Sequence, residues 1–350
     1  MINTMTEPAI TESASIHAYL ARVAEGETFS RGEASDLMAL LLAGGFDETQ
    51  TAALLVGMRS RGETTDELVG FVQAMRAQMV RIHAPDDAID VCGTGGDRSG
   101  TFNVSTTAAL VCAGAGVPVA KHGNRSISSR SGSADVLESL GVRTDLSPEQ
   151  CERVLADVGI AFLFAPVHHP AVRHVGPIRR ALAVRTVFNV LGPLCNPAGV
   201  TRQLVGAFSR DAAERIAHVL HELGAVRAVT LAAHDGLDEV SPDAPTDAFF
   251  IDASGVTHDT IFPDRFGLDA TPLDSILGGS ADENAELVTL VLDGEPGAYL
   301  DTTLRNAAWG LWTSGRYDGP EEAFAAAQQS VHGGGARRAL KRLVEATNQI

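Results

Sequence analysis

Apolar residues recur at helical spacing through the N-terminal part of the chain, and three capping boxes predict where the helices begin. The boxes are Ser30 with Glu33, Asp47 with Gln50, and Thr64 with Glu67. The apolar faces that follow them include Leu37, Leu40, Leu41, Leu54, Leu55 and Met58. Breaks at Gly44-Gly45 and Arg61-Gly62 predict a small antiparallel helical domain. Periodicity alone leaves open whether these apolar residues pack in its core or at a dimer interface.

After Pro85 the pattern changes to short apolar runs that end in glycine loops and alternate with alanine-rich helical stretches. The strand candidates are Ala88 to Cys92, Val117 to Ala120, Ile160 to Phe164 and Val226 to Ala232. The helices predicted between them are Thr106 to Ala115, Ala134 to Leu140 and Asp211 to Leu223. This alternation predicts an α/β fold with a mainly parallel central sheet, right-handed crossovers, and a ligand at the carboxyl ends of the strands.

We therefore expect a helical domain at residues 1–85 and an α/β domain at residues 86–350. The stretch from Pro166 to Pro197 has only a brief strand signal, around Val187-Phe188, and its part near residues 170–197 is expected to pack against the helical domain. Further helices are predicted at Asn284 to Leu292, Leu300 to Trp312 and Glu321 to Gln329.

Composition narrows the class of protein. A chain of 350 residues with 45% hydrophobic content can bury a large core, and its net charge of −17 argues against broad binding of nucleic acid or anionic membranes. The four cysteines form no CxxC pair and indicate free thiols in a reducing cytosol. The N-terminus has no signal-peptide pattern, and no apolar stretch is long enough to span a membrane, so we expect a cytoplasmic protein.

The first glycine loop, Gly93-Thr94-Gly95-Gly96-Asp97, runs into Thr101-Phe102-Asn103-Val104-Ser105-Thr106. Glycines after a strand let backbone amides turn toward an anion, and a following helix adds the positive end of its dipole. Ser105 and Thr106 are each candidates for the helix N-cap and for a phosphate or magnesium ligand. Neither a Walker A nor a Rossmann glycine pattern occurs, so ATP and NAD are not the first choice. The alternative is a tight turn that binds no ligand and precedes a capped helix, because such a turn would require the same glycines.

The second loop, Lys121-His122-Gly123-Asn124-Arg125-Ser126, follows the next strand candidate. Lys121 is one of two lysines among 27 basic residues, which favours a position that needs a compact point charge. Donors for a phosphate follow at Asn124, Arg125, Ser126, Ser128 and Ser129, with Arg130 nearby, and Ser131-Gly132-Ser133-Ala134-Asp135 opens another helix. Together the two loops predict a phosphorylated ligand.

Three further groups of residues are candidates for chemistry. In Asp235-Gly236-Leu237-Asp238-Glu239 the carboxylates suit Mg²⁺, although a solvated acidic loop is the alternative. Arg179 and Arg180 begin a helix after a proline, where one can pair with a ligand carboxylate. His168, His169 and His174 lack metal-ligand spacing and are interpreted as packing or ligand-wall residues, while His122 stays ambiguous.

These segments, with Arg185-Thr186-Val187-Phe188-Asn189-Val190-Leu191-Gly192-Pro193-Leu194, resemble the anthranilate phosphoribosyltransferases in order from about Phe29 to near the C-terminus. The resemblance implies a homodimer whose subunit has a small helical domain, a larger α/β domain and an active site in the cleft between them. It also implies transfer of the phosphoribosyl group from 5-phosphoribosyl 1-pyrophosphate (PRPP) to the amine of anthranilate, in tryptophan biosynthesis.

The resemblance assigns residues to each ligand by position. The PRPP set is Gly93, Gly96, Asp97, Thr101, Asn103, Val104, Ser105, Thr106, Lys121, His122, Gly123, Asn124, Arg125, Ser126, Ile127, Ser128, Ser129 and Ser133. The anthranilate set is Gly93, Asn124 and Arg179, and the ligands of Mg²⁺, two ions per subunit, are Ser105, Asp238 and Glu239. No side chain is assigned as a dedicated acid or base. We expect catalysis by positioning and electrostatics, with Lys121 and Arg179 the most important side chains.

Two positions depart from the family pattern. Ala183 stands where the family usually has glycine, and Val172 where methionine usually follows His-Pro-Ala. Both concern the anthranilate side, so they affect substrate affinity more than reaction type.

Two alternatives differ in class. A pyrimidine nucleoside phosphorylase shares the architecture, but the paired carboxylates and the Lys-His-Gly-Asn loop favour a diphosphate substrate with a metal. A non-catalytic nucleic-acid-binding relative should carry a basic face, which the net charge of −17 opposes.

Overall fold

The computed structural model describes residues 12–126 and 130–350. The N-terminal residues searched for a signal peptide, and the candidates Ile127, Ser128 and Ser129, lie outside this part. Of the described residues, those up to Gln78 form one compact unit with Ala171–Phe188, and Met79–Pro170 forms a second with Asn189–Ile350. We call them the helical unit and the α/β unit.

The helices are α1 (Glu12–Ala24), α2 (Arg31–Leu42), α3 (Glu48–Arg61), α4 (Thr65–Gln78), α5 (Val104–Gly114), α6 (Ser133–Ser139), α7 (Pro148–Val158), α8 (Ala165–His168), α9 (Gly176–Leu182), α10 (Phe188–Leu194), α11 (Arg210–Glu222), α12 (Ala281–Leu292), α13 (Ala298–Thr313), α14 (Pro320–His332) and α15 (Gly335–Gln349). The strands are β1 (Ile89–Gly93), β2 (Val119–Gly123), β3 (Ile160–Phe164), β4 (Arg202–Gly206), β5 (Arg227–Ala233), β6 (Thr246–Asp252) and β7 (Gly255–Ile261). Short 3₁₀ turns lie at Pro170–His174, Arg265–Gly267 and Leu273–Ile276.

The helical unit begins its helices where the capping boxes predict. Ser30 and Asp47 cap α2 and α3, and Thr64 exchanges bonds with Glu67 at the start of α4. The apolar side chains of α2 and α3 named above are buried, apart from a partly buried Leu40, so they pack within the subunit. The brief strand signal at Val187-Phe188 is wrong, because α10 begins at Phe188.

The α/β unit holds one sheet in the order β3-β2-β1-β4-β5-β6-β7. Strands β1 to β5 are parallel, and β6 and β7 extend the sheet as an antiparallel hairpin. Strands β4, β6 and β7 and helix α15 were not predicted from the sequence. Since the chain proceeds from β1 through β2 to β3 on one side and from β4 to β5 on the other, the strand order reverses between β1 and β4. In open α/β sheets this reversal, called the switch point, is the position that takes a ligand.

No helix in the described part of the chain is long and apolar enough to cross a membrane. All four cysteines are buried, and none of them forms a disulfide with another.

Candidate active site

The carboxyl ends of β1 and β4 lie side by side and meet the loop that carries Asp238. Thr94 donates its backbone N–H to the carbonyl of Gly206 at 2.8 Å. A Cβ at Gly93 would lie 2.7 Å from Asp238 Oδ2, and one at Gly206 would lie 1.5 Å from the backbone oxygen of Asp238. Both strands must therefore end in glycine for the acidic loop to approach them.

The turn after β1 uses glycine for a second reason. Gly95 and Gly96 have φ angles of 66° and 75°, the left-handed region that glycine enters without a Cβ penalty. This agrees with the prediction that the loop needs such conformations, and Gly95 directs its amide to Asp238 Oδ2 at 2.9 Å.

The paired carboxylates are buried, so the alternative of a solvated acidic loop is wrong. Asp238 and Glu239 are each 8% exposed. Burial, followed by the charge of Asp238, raises the pKa of Glu239 well above its usual range, while Lys121 and a hydrogen bond from the Ser105 amide oppose the rise. Asp97 also faces Glu239 and adds to the rise. The arrangement brings several carboxylates together, and among the described residues the Lys121 ammonium opposes their charge.

Helix α5 begins at Val104, two residues before the start that a cap at Ser105 would give and three before the start that a cap at Thr106 would give. Its N-cap is Asn103, and the Asn103 side chain makes no capping hydrogen bond. Ser105 and Thr106 lie in the first turn, which corrects the expectation that either is the N-cap. The Ser105 amide instead donates to the carboxylate of Glu239, so an acidic group lies at the positive end of this helix.

Lys121 is buried beneath these groups. Its Nζ donates to the carbonyl of Val91 at 2.7 Å and to Ser105 Oγ at 3.4 Å. Behind it lies fully buried Asp90, which accepts from Asn196 Nδ2 at 2.8 Å and from the amide of His122 at 3.3 Å. Burial raises the pKa of Asp90, and Lys121 acts in the opposite direction. Lys121 is thus held by oxygen atoms beside the switch point.

The second loop directs its arginine toward α6. Arg125 pairs with Glu138 at 2.6 Å and with Asp135 at 3.1 Å. Asp135 also accepts from the amides of Ser126 and Gly132 at 3.1 and 2.8 Å, and Ser133 Oγ donates to the carbonyl of Asn124 at 3.2 Å. These bonds join the loop to the start of α6.

Three histidines form a buried group beside Lys121. The rings of His122, His168 and His169 each bond to a backbone carbonyl, those of Gly192, Val80 and Cys195 respectively. Within the described residues, the Nε2 atom of each ring is buried and has no hydrogen-bond partner. Burial lowers all three pKa values, that of His169 to about 4, so these imidazoles are neutral at neutral pH.

Arg179 belongs to the helical unit and lies on α9. Burial lowers the pKa of its guanidinium, whose carbon lies 5.2 Å from the ring centre of Phe188. The helix ends at Ala183 with a left-handed backbone, φ 52° and ψ 22°. Arg180 on the same helix is exposed.

Comparisons with known proteins identify the family. Residues 17–79 match the model of the glycosyl transferase family helical bundle domain, and residues 85–337 match that of the a/b domain of the same family. An anthranilate phosphoribosyltransferase of Salinibacter ruber is 49% identical over 341 residues, which cover 95% of this chain and 99% of the relative. The chain belongs to the anthranilate phosphoribosyltransferase family.

Solved structures of this family agree in fold. The crystal structure of anthranilate phosphoribosyltransferase from Thermus thermophilus matches with a TM-score of 0.88 and 38% identity, over 94% of this chain and 99% of that one. The enzyme of Saccharomyces cerevisiae in complex with PRPP and Mg matches with a TM-score of 0.88 and 26% identity, over 96% and 99%. The resemblance and the predicted fold class, a small helical domain with a larger α/β domain, are confirmed.

Several residues that shape the site were not predicted from the sequence. Asp90 and Asn196 are among them, although a carboxylate within a buried strand signals a polar network. Gly206 and the helix residue Asn284, whose amide contacts Asn103, are others. Each acts through a partner distant in sequence, so no local motif reveals it.

Proposed function

We infer that this protein transfers the phosphoribosyl group of PRPP to the amine of anthranilate, giving N-(5-phosphoribosyl)anthranilate and pyrophosphate in tryptophan biosynthesis. The observation that carries this inference is 49% identity to an anthranilate phosphoribosyltransferase over nearly the full length of both chains. The inference is also supported within the α/β unit, where the loop after β1, Lys121 and the pair Asp238 and Glu239 lie beside the switch point between β1 and β4, the place where an α/β sheet takes its ligand.

PRPP binds with its diphosphate against the glycine loop after β1 and the first turn of α5. The backbone amides and the dipole of α5 favour an anion there, and Lys121 adds a buried positive charge. Asn124, Ser126 and Ser133 extend the site along the second loop toward α6. Arg125 holds this loop against α6 through its ion pairs with Glu138 and Asp135.

Asp238, Glu239 and the Ser105 hydroxyl are the groups that would hold magnesium, at two ions per subunit. The donor set fits a hard cation, since two adjacent buried carboxylates repel each other and Lys121 only partly offsets them. Among the described residues there is no cluster of three His, Cys, Asp or Glu side chains suited to a metal, so substrate oxygens and water would complete the coordination. Held by these groups, magnesium would supply positive charge that offsets the negative charge on the departing pyrophosphate.

The chain's own groups act by position and charge. Lys121 and the loop amides stabilise the negative charge that develops as the bond from C1 to the pyrophosphate oxygen breaks. The attacking amine of anthranilate is neutral at neutral pH and needs little activation, so its placement opposite C1 matters most. The family resemblance assigns this placement to Gly93, Asn124 and Arg179, with Arg179 on the carboxylate.

The direct test follows the loss of anthranilate fluorescence in the presence of PRPP and Mg²⁺. We expect turnover that requires both PRPP and Mg²⁺ and stops when the metal is chelated. Phosphorolysis of thymidine or uridine is assayed in parallel. Metal-independent cleavage of a nucleoside without use of anthranilate would contradict the proposal.

Arg179→Ala tests the carboxylate contact. A charge-assisted hydrogen bond contributes ~1.5–3 kcal/mol, so we expect the KM for anthranilate to rise by at least about tenfold, with the KM for PRPP little changed. Arg180→Ala, its exposed neighbour, is the matched control and should leave both constants unchanged. Equal effects of Arg179→Ala on both substrates would contradict the assignment.

The protein acts as a homodimer in the cytoplasm. The family resemblance supports the dimer, and four cysteines that form no disulfide with one another suit a reducing compartment. Light scattering coupled to size-exclusion chromatography measures the mass directly. A single-subunit mass at assay concentration would contradict the dimer.

A further inference from the structure

Asn284 lies on α12, a helix to which neither the sequence motifs nor the family resemblance assigns a role. The Asn284 side chain is 2% exposed, and both the oxygen and the nitrogen of its amide form hydrogen bonds. Oδ1 accepts the backbone N–H of Gly279 at 2.7 Å, and Nδ2 donates to Oδ1 of Asn103 at 2.8 Å. Asn103 is a candidate PRPP residue and the N-cap of α5.

These two bonds fix the orientation of the Asn103 amide. The N–H of Gly279 can only donate, so it selects the oxygen of Asn284 and turns its NH₂ group toward Asn103. Asn103 must then present its own oxygen to Asn284, which leaves Nδ2 directed at the carbonyl of Ser131, 3.4 Å away. A second N–H on that nitrogen is able to donate to a ligand oxygen.

The bond between Asn103 and Asn284 explains why the Asn103 side chain does not cap α5. An asparagine at this position normally accepts a hydrogen bond from the first turn of its helix. Here its oxygen faces Asn284, and the Ser105 amide bonds to Glu239 instead. Asn103 therefore does not cap α5 with its side chain, and its amide nitrogen is a hydrogen-bond donor with a defined direction.

The segment just before α12 is joined to the loop that leads to Asn103. Phe102 donates to the carbonyl of Ile276 at 3.1 Å, and Gly278 donates to the carbonyl of Gly100 at 2.8 Å. A Cβ at Gly278 would lie 2.6 Å from Asn284 Oδ1 and 2.7 Å from Phe102 Cα. Asn284 thus lies at the junction of this backbone pairing and the candidate PRPP loop.

We propose that Asn284 is a positioning residue for PRPP, acting through Asn103 to aim the Asn103 amide N–H at the substrate. The proposal rests on the proposed function, because it takes PRPP as the ligand of this loop. It predicts a selective effect on PRPP and none of its own on anthranilate.

Asn284→Asp and Asn284→Leu distinguish the orientation of Asn103 from a purely structural role of Asn284. Aspartate keeps an oxygen for Gly279 but has no N–H for Asn103, whereas leucine loses both bonds. We expect both variants to raise the Kd for PRPP, measured by calorimetry, and the KM for PRPP by about tenfold, the usual effect of one lost hydrogen bond, with the KM for anthranilate within about twofold. Wild-type PRPP affinity in Asn284→Asp would overturn the proposal.

Ser280→Ala is the matched control on the same helix. It removes the capping box between Ser280 and Glu283 and so weakens α12 without touching Asn103. We expect a lower melting temperature with unchanged affinity for PRPP. An equal loss of PRPP affinity in this control would show that any weakening of α12 is sufficient, and would overturn the proposal.

A double-mutant cycle tests the route through Asn103. In the Asn103→Ala background, Asn284→Leu should weaken PRPP binding no further, because its target is already gone. Full additivity would overturn the proposal. Wild-type turnover separates the two inferences: if the wild type binds PRPP but does not consume anthranilate, the proposed acceptor is wrong, while the calorimetric comparison still decides the role of Asn284.

Discussion

Ala183 ends α9 in a backbone conformation that suits glycine. Its φ of 52° places the Cβ near the following carbonyl, which costs roughly 1 kcal/mol for an L-residue. We expect Ala183→Gly to raise the free energy of unfolding by up to about 1 kcal/mol, partly offset by the greater freedom of glycine in the unfolded chain. Urea unfolding of the full chain measures the change.

Ala43 provides the matched control for this substitution. It is also an exposed alanine just after a helix, but its φ of −73° is right-handed. Ala43→Gly should therefore lower stability slightly or leave it unchanged. A loss of stability in Ala183→Gly as large as in Ala43→Gly would contradict the strain at position 183.

At the scale of the element, Glu67 joins the start of α4 to the residues before α2. It is fully buried, pairs with Arg61 at 2.7 Å, and accepts the amides of Thr64 and Phe29. Burial alone would raise the pKa of Glu67, but these bonds outweigh it and the pKa lies below its usual range. The stability that the carboxylate contributes is present above its unfolded pKa and lost as the pH falls through its folded pKa.

Glu67→Gln should consequently destabilise the protein by about 3 kcal/mol at neutral pH, since it leaves Arg61 without its charge partner. The loss should shrink at acid pH, where the wild type also loses the charge. Asp66→Asn is the control, because it removes an exposed pair with Arg31 and should cost about 0.5 kcal/mol or less. Urea unfolding at neutral and acid pH compares the three proteins, and an equal cost for both variants would contradict the account.

Elements were predictable from sequence where their signal is local. The capping boxes at Ser30, Asp47 and Thr64 depend on residues three positions apart, and all three are confirmed. The start of α5 was misassigned because its tertiary partners Asn284 and Glu239 override the usual cap chemistry.

The candidate site shows the same division. Both glycine loops are visible in the sequence as runs after apolar segments. The burial of Asp238 and Glu239 was not visible, because it depends on Gly93 and Gly206, which let the acidic loop approach two strand ends. A carboxylate pair therefore gives no sign in the sequence alone of whether it is solvated or enclosed.

For the molecule as a whole, the net charge disfavours anions, while the proposed site binds one locally. The chain carries −17 overall, and the groups we propose for the anion are Lys121, the amides of the loop after β1 and the Mg²⁺ that Asp238 and Glu239 would hold. A small diphosphate suits such a local site. Salt screens the buried charges there only a little, so they can still attract the ligand. A nucleic-acid duplex needs basic contacts spread over a wide face and meets long-range repulsion.

We therefore expect the full-length protein to bind PRPP with Mg²⁺ but not to bind a labelled DNA duplex at low salt. Calorimetry measures the first affinity, and fluorescence anisotropy of the duplex measures the second. Raising the salt concentration should weaken PRPP binding only modestly, since the groups that hold it are buried. Duplex binding that is strong at low salt and falls steeply as salt rises would show an extended basic surface, and would contradict local capture of the anion.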